Sequence, residues 1–192
     1  MRRVLLPALM IALALLSGCA GGKEIEERFT LARQELAGAS ELSFTAELTA
    51  DMGETVFTCT LACVRDAEGT EMTVLSPDLA QGVVVHSDGA GAKLSYDGLE
   101  LCVGEMGGVT PVGAVPMLTG ALLDGYAEGF YTETYEDTPA LVARIYISED
   151  THALFWLEEE NLTPLYAELV HSGTAVVRCR FSDFRAPAQE KI

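Results

Sequence analysis

Between Leu42 and Phe184, most apolar residues recur at every second position, in short runs broken by turn residues. A period of two is the signature of strands with one buried face, and a helix cannot carry it. Leu42, Phe44, Ala46 and Leu48 alternate with Ser43, Thr45, Glu47 and Thr49. After Asp51-Met52-Gly53, Phe57, Cys59, Leu61 and Cys63 alternate with Thr58 and Thr60, which predicts a hairpin. Further runs cover 71–75, 82–86, 92–96 and 99–103, then 130–135, 141–147, 153–158, 165–171 and 175–184. Turn chemistry separates them, as at Ser76-Pro77-Asp78, Asp97-Gly98, Asn161-Leu162-Thr163-Pro164 and Ser172-Gly173. About eleven strands result. One antiparallel sheet of that size with a single apolar face must curl around something.

Two segments depart from the period of two. Ile25, Phe29, Ala32 and Leu36 recur at steps of three and four over 23–39, an amphipathic helix closed by Gly38. A Gly-rich stretch, 104–113, then leads into 116–127, where Met117, Leu118, Ala121, Leu122 and Tyr126 have helical spacing. The concave side of the sheet therefore has two helices to cover it and, where these leave space, a ligand.

The first residues are not part of that domain. Arg2 and Arg3, the apolar run from Val4 to Leu16, and Leu16-Ser17-Gly18-Cys19 form a secretory leader. The run is too short for a spanning helix, which needs about 20 apolar residues. Leu-Ser-Gly-Cys resembles the lipobox of bacterial lipoproteins. The resemblance implies cleavage before Cys19, acyl chains (palmitate among them) on that residue, and display on the outer face of the cell membrane, or at the outer membrane if the host has one. The expected organisation is a signal peptide at 1–18, a lipidated Cys19 with a short tether at 19–23, one domain at 24–186 and a tail at 187–192. The formal net charge is −17, and it becomes two units more negative without Arg2 and Arg3. Such a chain repels phosphate backbones, so no nucleic acid partner is expected.

Cys59 and Cys63 lie on one strand about 13 Å apart, beyond disulfide reach. With Cys179 they fall on apolar faces, whereas Cys102 shares the face of Glu100; buried free thiols are the favoured reading. His86, His152 and His171 are scattered, and a metal site needs convergent ligands. Glu158-Glu159-Glu160 reads as a solvated turn. The chain has no Gly-x-Ser-x-Gly, phosphate-cradling loop or His-Glu-x-x-His motif, so the sequence points to a binding protein without cofactor or metal rather than to an enzyme.

The element order (helix, six strands, Gly/Pro-rich segment with a short helix, five strands) resembles the LolA/LolB lipoprotein-carrier superfamily, including the LppX/LprG-type lipoproteins. Ser76-Pro77 leading through Gly82 to Tyr96-Asp97-Gly98, Phe155-Trp156-Leu157 followed by Pro164, and Gly173 before Phe181-Ser182-Asp183-Phe184 carry the same likeness. It implies an α+β, mainly β fold: an open antiparallel half-barrel of about eleven strands, with an N-terminal helix and a short helical lid on its concave face. Acyl chains would bind between sheet and lid. The resemblance has two gaps. The soluble carrier lacks a lipobox cysteine, and no counterpart of its lid-pinning sheet arginine is found here.

The concave face would be lined by Phe44, Phe57, Leu61, Ile145, Ile147, Phe155, Leu169 and Phe181, with Leu118 and Leu122 from the lid. The leading expectation is a membrane-anchored protein that binds a lipid or the acyl chains of a lipoprotein on this face. The alternative is a cell-envelope interaction or regulatory module with a filled core, which engages a protein partner through an outer face or strand edge. Alternation identifies a face; it does not measure the space above it.

Overall fold

The computed structural model describes residues 20–51, 53–88, 91–103 and 109–187. The leader, Cys19 and the tail from 188 lie outside them, so the expectations for those segments have no structural counterpart here. Helix α1 spans Ala20–Ala37 and α2 Pro111–Asp124. The strands are β1 Leu42–Asp51, β2 Val56–Arg65, β3 Thr70–Ser76, β4 Val84–Asp88, β5 Gly91–Tyr96, β6 Leu99–Val103, β7 Tyr126–Tyr135, β8 Thr138–Ser148, β9 Thr151–Glu158, β10 Pro164–His171 and β11 Thr174–Arg185.

All eleven form one antiparallel sheet in the order β6-β5-β4-β3-β2-β1-β11-β10-β9-β8-β7. The first and last strands pair in the middle, and among the described residues β6 and β7 are the edges of the sheet, so the half-barrel is open. The two-residue connections Asp97-Gly98, Glu136-Asp137 and Ser172-Gly173 have positive φ at both positions. That turn geometry matches the twist of the strands it joins.

Register puts the alternating apolar residues on one face. Ala46 lies between Leu61 and Phe181, Leu48 between Cys59 and Cys179, and Phe155 between Ala143 and Ala167. These residues join α1 and α2 in a single core, with Phe29, Leu48, Phe155, Leu118, Ile145 and Leu169 fully enclosed. Burying each such side chain contributes roughly 1.5–3 kcal/mol. The outer face carries a smaller aromatic cluster of Trp156, Tyr135 and Tyr166, with the two tyrosine rings stacked at 5.0 Å. The Trp156 indole N–H donates to Glu133.

The lid helix is displaced from its expected position. Spacing and Pro116 predict 116–127, yet the helix begins at Pro111, where proline loses nothing because the first N–H groups have no partner. Thr110 caps it, its hydroxyl accepting from the Gly113 N–H at 3.0 Å. Pro116 therefore sits inside the helix. At the other end Gly125 packs on Ile145, and Tyr126 pairs with Tyr146 as the first residue of β7, so Tyr126 is an exposed strand residue and not part of the helical stripe.

Candidate ligand-binding site

The two ends of the half-barrel differ. At one end α1 fastens the lid. The Arg33 Nε–H donates to the Leu123 carbonyl at 3.0 Å, satisfying one of the carbonyls left open at the C-terminus of α2, while its guanidinium lies over the Phe29 ring. Phe29 in turn meets Phe130 of β7 edge-on at 5.1 Å. Arg28 donates from Nη2 to the Glu159 carbonyl at 2.6 Å. The residue pinning the lid thus comes from the N-terminal helix and not from the sheet.

At the other end the lid leaves space. A cleft of about 660 Å³ opens there, lined by Asp51, Gly53, Val109, Met117, Ile147, Ser148, Thr151, His171 and Val176. Each residue has a local reason for its position. Asp51 and Gly53 sit at the β1–β2 hairpin tip, where the Asp51 carboxylate accepts the Gly53 N–H at 2.9 Å. Ser148 and Thr151 flank the β8–β9 turn, which is tied to the β10–β11 turn by the Ser172 N–H donating to the Asp150 carbonyl at 2.8 Å. Thr151 and His171 are cross-strand partners, with Oγ1 and Nδ1 hydrogen bonded at 2.8 Å. Val109 leads into the capped start of α2, and Met117 follows two turns on. The walls are thus mostly aliphatic, with polar groups at the turns. That combination suits an apolar body with a polar head, and the volume falls in the usual range for small-molecule sites.

Of the residues expected to line a concave site, Ile147 borders this cleft. Phe44, Leu61, Ile145, Phe155, Leu169 and Phe181 of the sheet lie deeper, in one core with Leu118 and Leu122 from the buried side of α2; Phe44 and Phe181 meet at 5.4 Å. Phe57 is on the same face at the β1–β2 end of the sheet and is 49% exposed. Sequence reasoning missed Val109, Met117, Val176 and the turn residues. The Thr110-Pro111 cap signal would have placed Val109 just ahead of the lid and Met117 in its second turn. Nothing in the alternation distinguishes Val176, which lies near the β10–β11 irregularity between Leu169 and Val170.

A second apolar depression, about 330 Å³, lies against β5 and β6, with Leu79, Tyr96, Leu99 and Leu101 on its walls. The four described cysteines are free. Burial raises the thiol pKa of Cys59 and Cys179, and pushes Cys63 up to about 12, so these are packing groups rather than nucleophiles at neutral pH. Among the described residues no cluster of three His, Cys, Asp or Glu could hold a metal ion, and no helix is long and apolar enough to cross a membrane.

Fold and cleft together define a class: an open eleven-stranded half-barrel with a helical lid, pinned at one end and parted from the sheet at the other. No protein-family model matches the chain, and no curated protein matches it in sequence. Solved structures do. An uncharacterized conserved protein from Thermus thermophilus is 9% identical, with 84% of this chain and 87% of that one covered, at a TM-score of 0.50. A LolA superfamily protein from Nitrosomonas europaea is 13% identical (83% and 94% covered, TM-score 0.45). Lipoprotein LppX from Mycobacterium tuberculosis is 14% identical (86% and 96% covered, TM-score 0.46). At these identities the likeness is one of fold, and the half-barrel implied by the resemblance is the architecture found.

Proposed function

We propose that this protein is an exported, lipid-anchored binding protein of the cell envelope that holds a lipid, or the acyl chain of another lipoprotein, in the cleft between α2 and the sheet. The observation that carries this reading is the 660 Å³ cleft, with aliphatic walls and polar turns, beside the packed core. Each methylene moved from water into it contributes roughly 0.8 kcal/mol, so about ten would contribute on the order of 8 kcal/mol before the entropic cost of association. Of the ten residues expected to line the site, Ile147 borders the cleft, and Phe44, Leu61, Leu118, Leu122, Ile145, Phe155, Leu169 and Phe181 serve it indirectly, as the packed core that holds sheet and lid together.

Two variants test the reading. Cys19→Ala removes the acceptor for acyl chains and is expected to move the protein from the membrane fraction to the soluble one while leaving its fold unchanged; recovery in the membrane would sink the anchoring claim. With that variant as the soluble form, native mass spectrometry should detect one bound amphiphile, and Val176→Trp, which puts an indole into the cleft, should weaken its retention. Failure of the Cys19→Ala protein to retain or take up any amphiphile would refute ligand binding.

A second reading has its own observation. Leu79 is 98% exposed, Leu99 76% and Leu101 63%, and the latter two lie on the edge strand β6. Unpaired backbone beside exposed leucines is what strand addition by a protein partner uses. Replacing Leu99 and Leu101 by lysine would block such a partner and spare amphiphile binding, which separates the two roles.

A further inference from the structure

The cleft is apolar inside, but its rim carries charge of one sign. Asp51 lines it directly. Glu54 follows the lining residue Gly53, and Glu149 and Asp150 form the turn between Ser148 and Thr151, which also line it. Among the described residues the lysines and arginines all lie elsewhere. Lys93, Arg144, Arg178 and Arg180 project from the outer face of the sheet, where each is ion-paired with a glutamate. Arg65 and Arg185 stand at the opposite end of the sheet, where Leu42 pairs with Arg65 and Ser43 with Arg185. Lys23, Arg28 and Arg33 belong to α1, and Arg28 and Arg33 are engaged with Glu159 and Leu123.

This distribution bears on what the cleft accepts. A ligand whose tail enters past Met117 and Ile147 leaves its head among Asp51, Ser148, Thr151 and His171. An anionic head there would lose part of its hydration, find no lysine or arginine to pair with, and face carboxylates at short range. A hydroxyl-bearing head loses nothing comparable, because it can donate to the Asp51 carboxylate and exchange hydrogen bonds with Ser148. We infer that the cleft selects acyl amphiphiles with an uncharged headgroup, of the acylglycerol or glycolipid kind, over fatty acids and anionic phospholipids of the same chain length. The inference rests on the acyl-binding function proposed above and adds the headgroup class.

The test uses two probes that differ only at the head, monolaurin and laurate, titrated into the Cys19→Ala protein at pH 8, where laurate is ionised. Monolaurin is expected to bind at least about tenfold more tightly, with the gap narrowing as salt is raised from about 0.05 to about 0.5 M because the repulsion is screened. Ser148→Lys places a cation on the rim at a surface position and is expected to shrink or reverse the ratio, with circular dichroism confirming the fold. Equal or tighter binding of laurate overturns the inference while leaving the cleft's function standing, as does a ratio that Ser148→Lys does not move. If neither probe binds, the acyl-binding function fails and the headgroup preference fails with it.

Discussion

Met117 and Leu118 are neighbours on the lid, yet they face different surroundings, and this gives a sharp test of where the core ends. Leu118 is 0% exposed, enclosed between α2 and a sheet whose strands are held by hydrogen bonds on both sides, so the space left by Leu118→Ala cannot collapse easily. Truncation of a buried leucine costs about 2–5 kcal/mol, with the larger values where collapse is poor, so a loss of roughly 3–4 kcal/mol is expected. Met117 is half-buried and borders the cleft, where its outer atoms have few partners to lose. Met117→Ala should therefore cost less than about 1 kcal/mol, while widening the cleft and changing amphiphile affinity. Urea unfolding followed by the fluorescence of Trp156, the only tryptophan, reads both variants with the same reporter. Its site on the outer face, away from the lid, keeps the probe clear of either substitution. Equal destabilisation by the two substitutions would mean that the space beside Met117 is not open and would refute the division between closed core and cleft.

The thiols give a second check: at pH 8 a thiol reagent is expected to modify exposed Cys102 quickly and buried Cys63 and Cys179 only on unfolding, and fast labelling of all the thiols would refute the packing. Because burial raises Cys63 from 9.0 to about 12, the unfolded chain loses this proton first. Its stabilising contribution is then complete below pH 9 and is lost as pH rises toward about 12, and Cys63→Ala should make the fall in stability over that window shallower. Gly125→Ala is expected to lower thermal stability measurably, since its Cβ would run into Ile145 Cγ2 and lie 2.6 Å from the Ala121 carbonyl oxygen; an unchanged melting temperature would show that the junction of α2 and β7 is looser than described.

Much of the fold is legible because the signals are local. Alternation at Leu42-Phe44-Ala46-Leu48 and at Ala175-Val177-Cys179-Phe181 needs only the two-residue repeat of a strand and one side without water, and Asp97-Gly98 and Ser172-Gly173 specify turns by their own backbone preferences. The lid starts earlier than its spacing predicts because two prolines compete for the first helical position, and Thr110, which decides between them, is recognisable as a cap only when Pro111 is read as helical. Tyr126 fits a helical stripe equally well as a strand end, and pairing with Tyr146 decides for the strand.

The sequence by itself determined the approximate strand number and the face that most apolar strand residues present, because periodicity is a property of neighbouring residues. Whether that face is closed or open was decided by the tertiary structure. Arg33 and Gly125 draw one end of α2 down, and the turns at Asp51, Asp150 and Ser172 extend the sheet past the helix's other end. The residual space lies between segments far apart in the chain, as Asp51 and Thr151 are, and no local pattern encodes a distance of that kind.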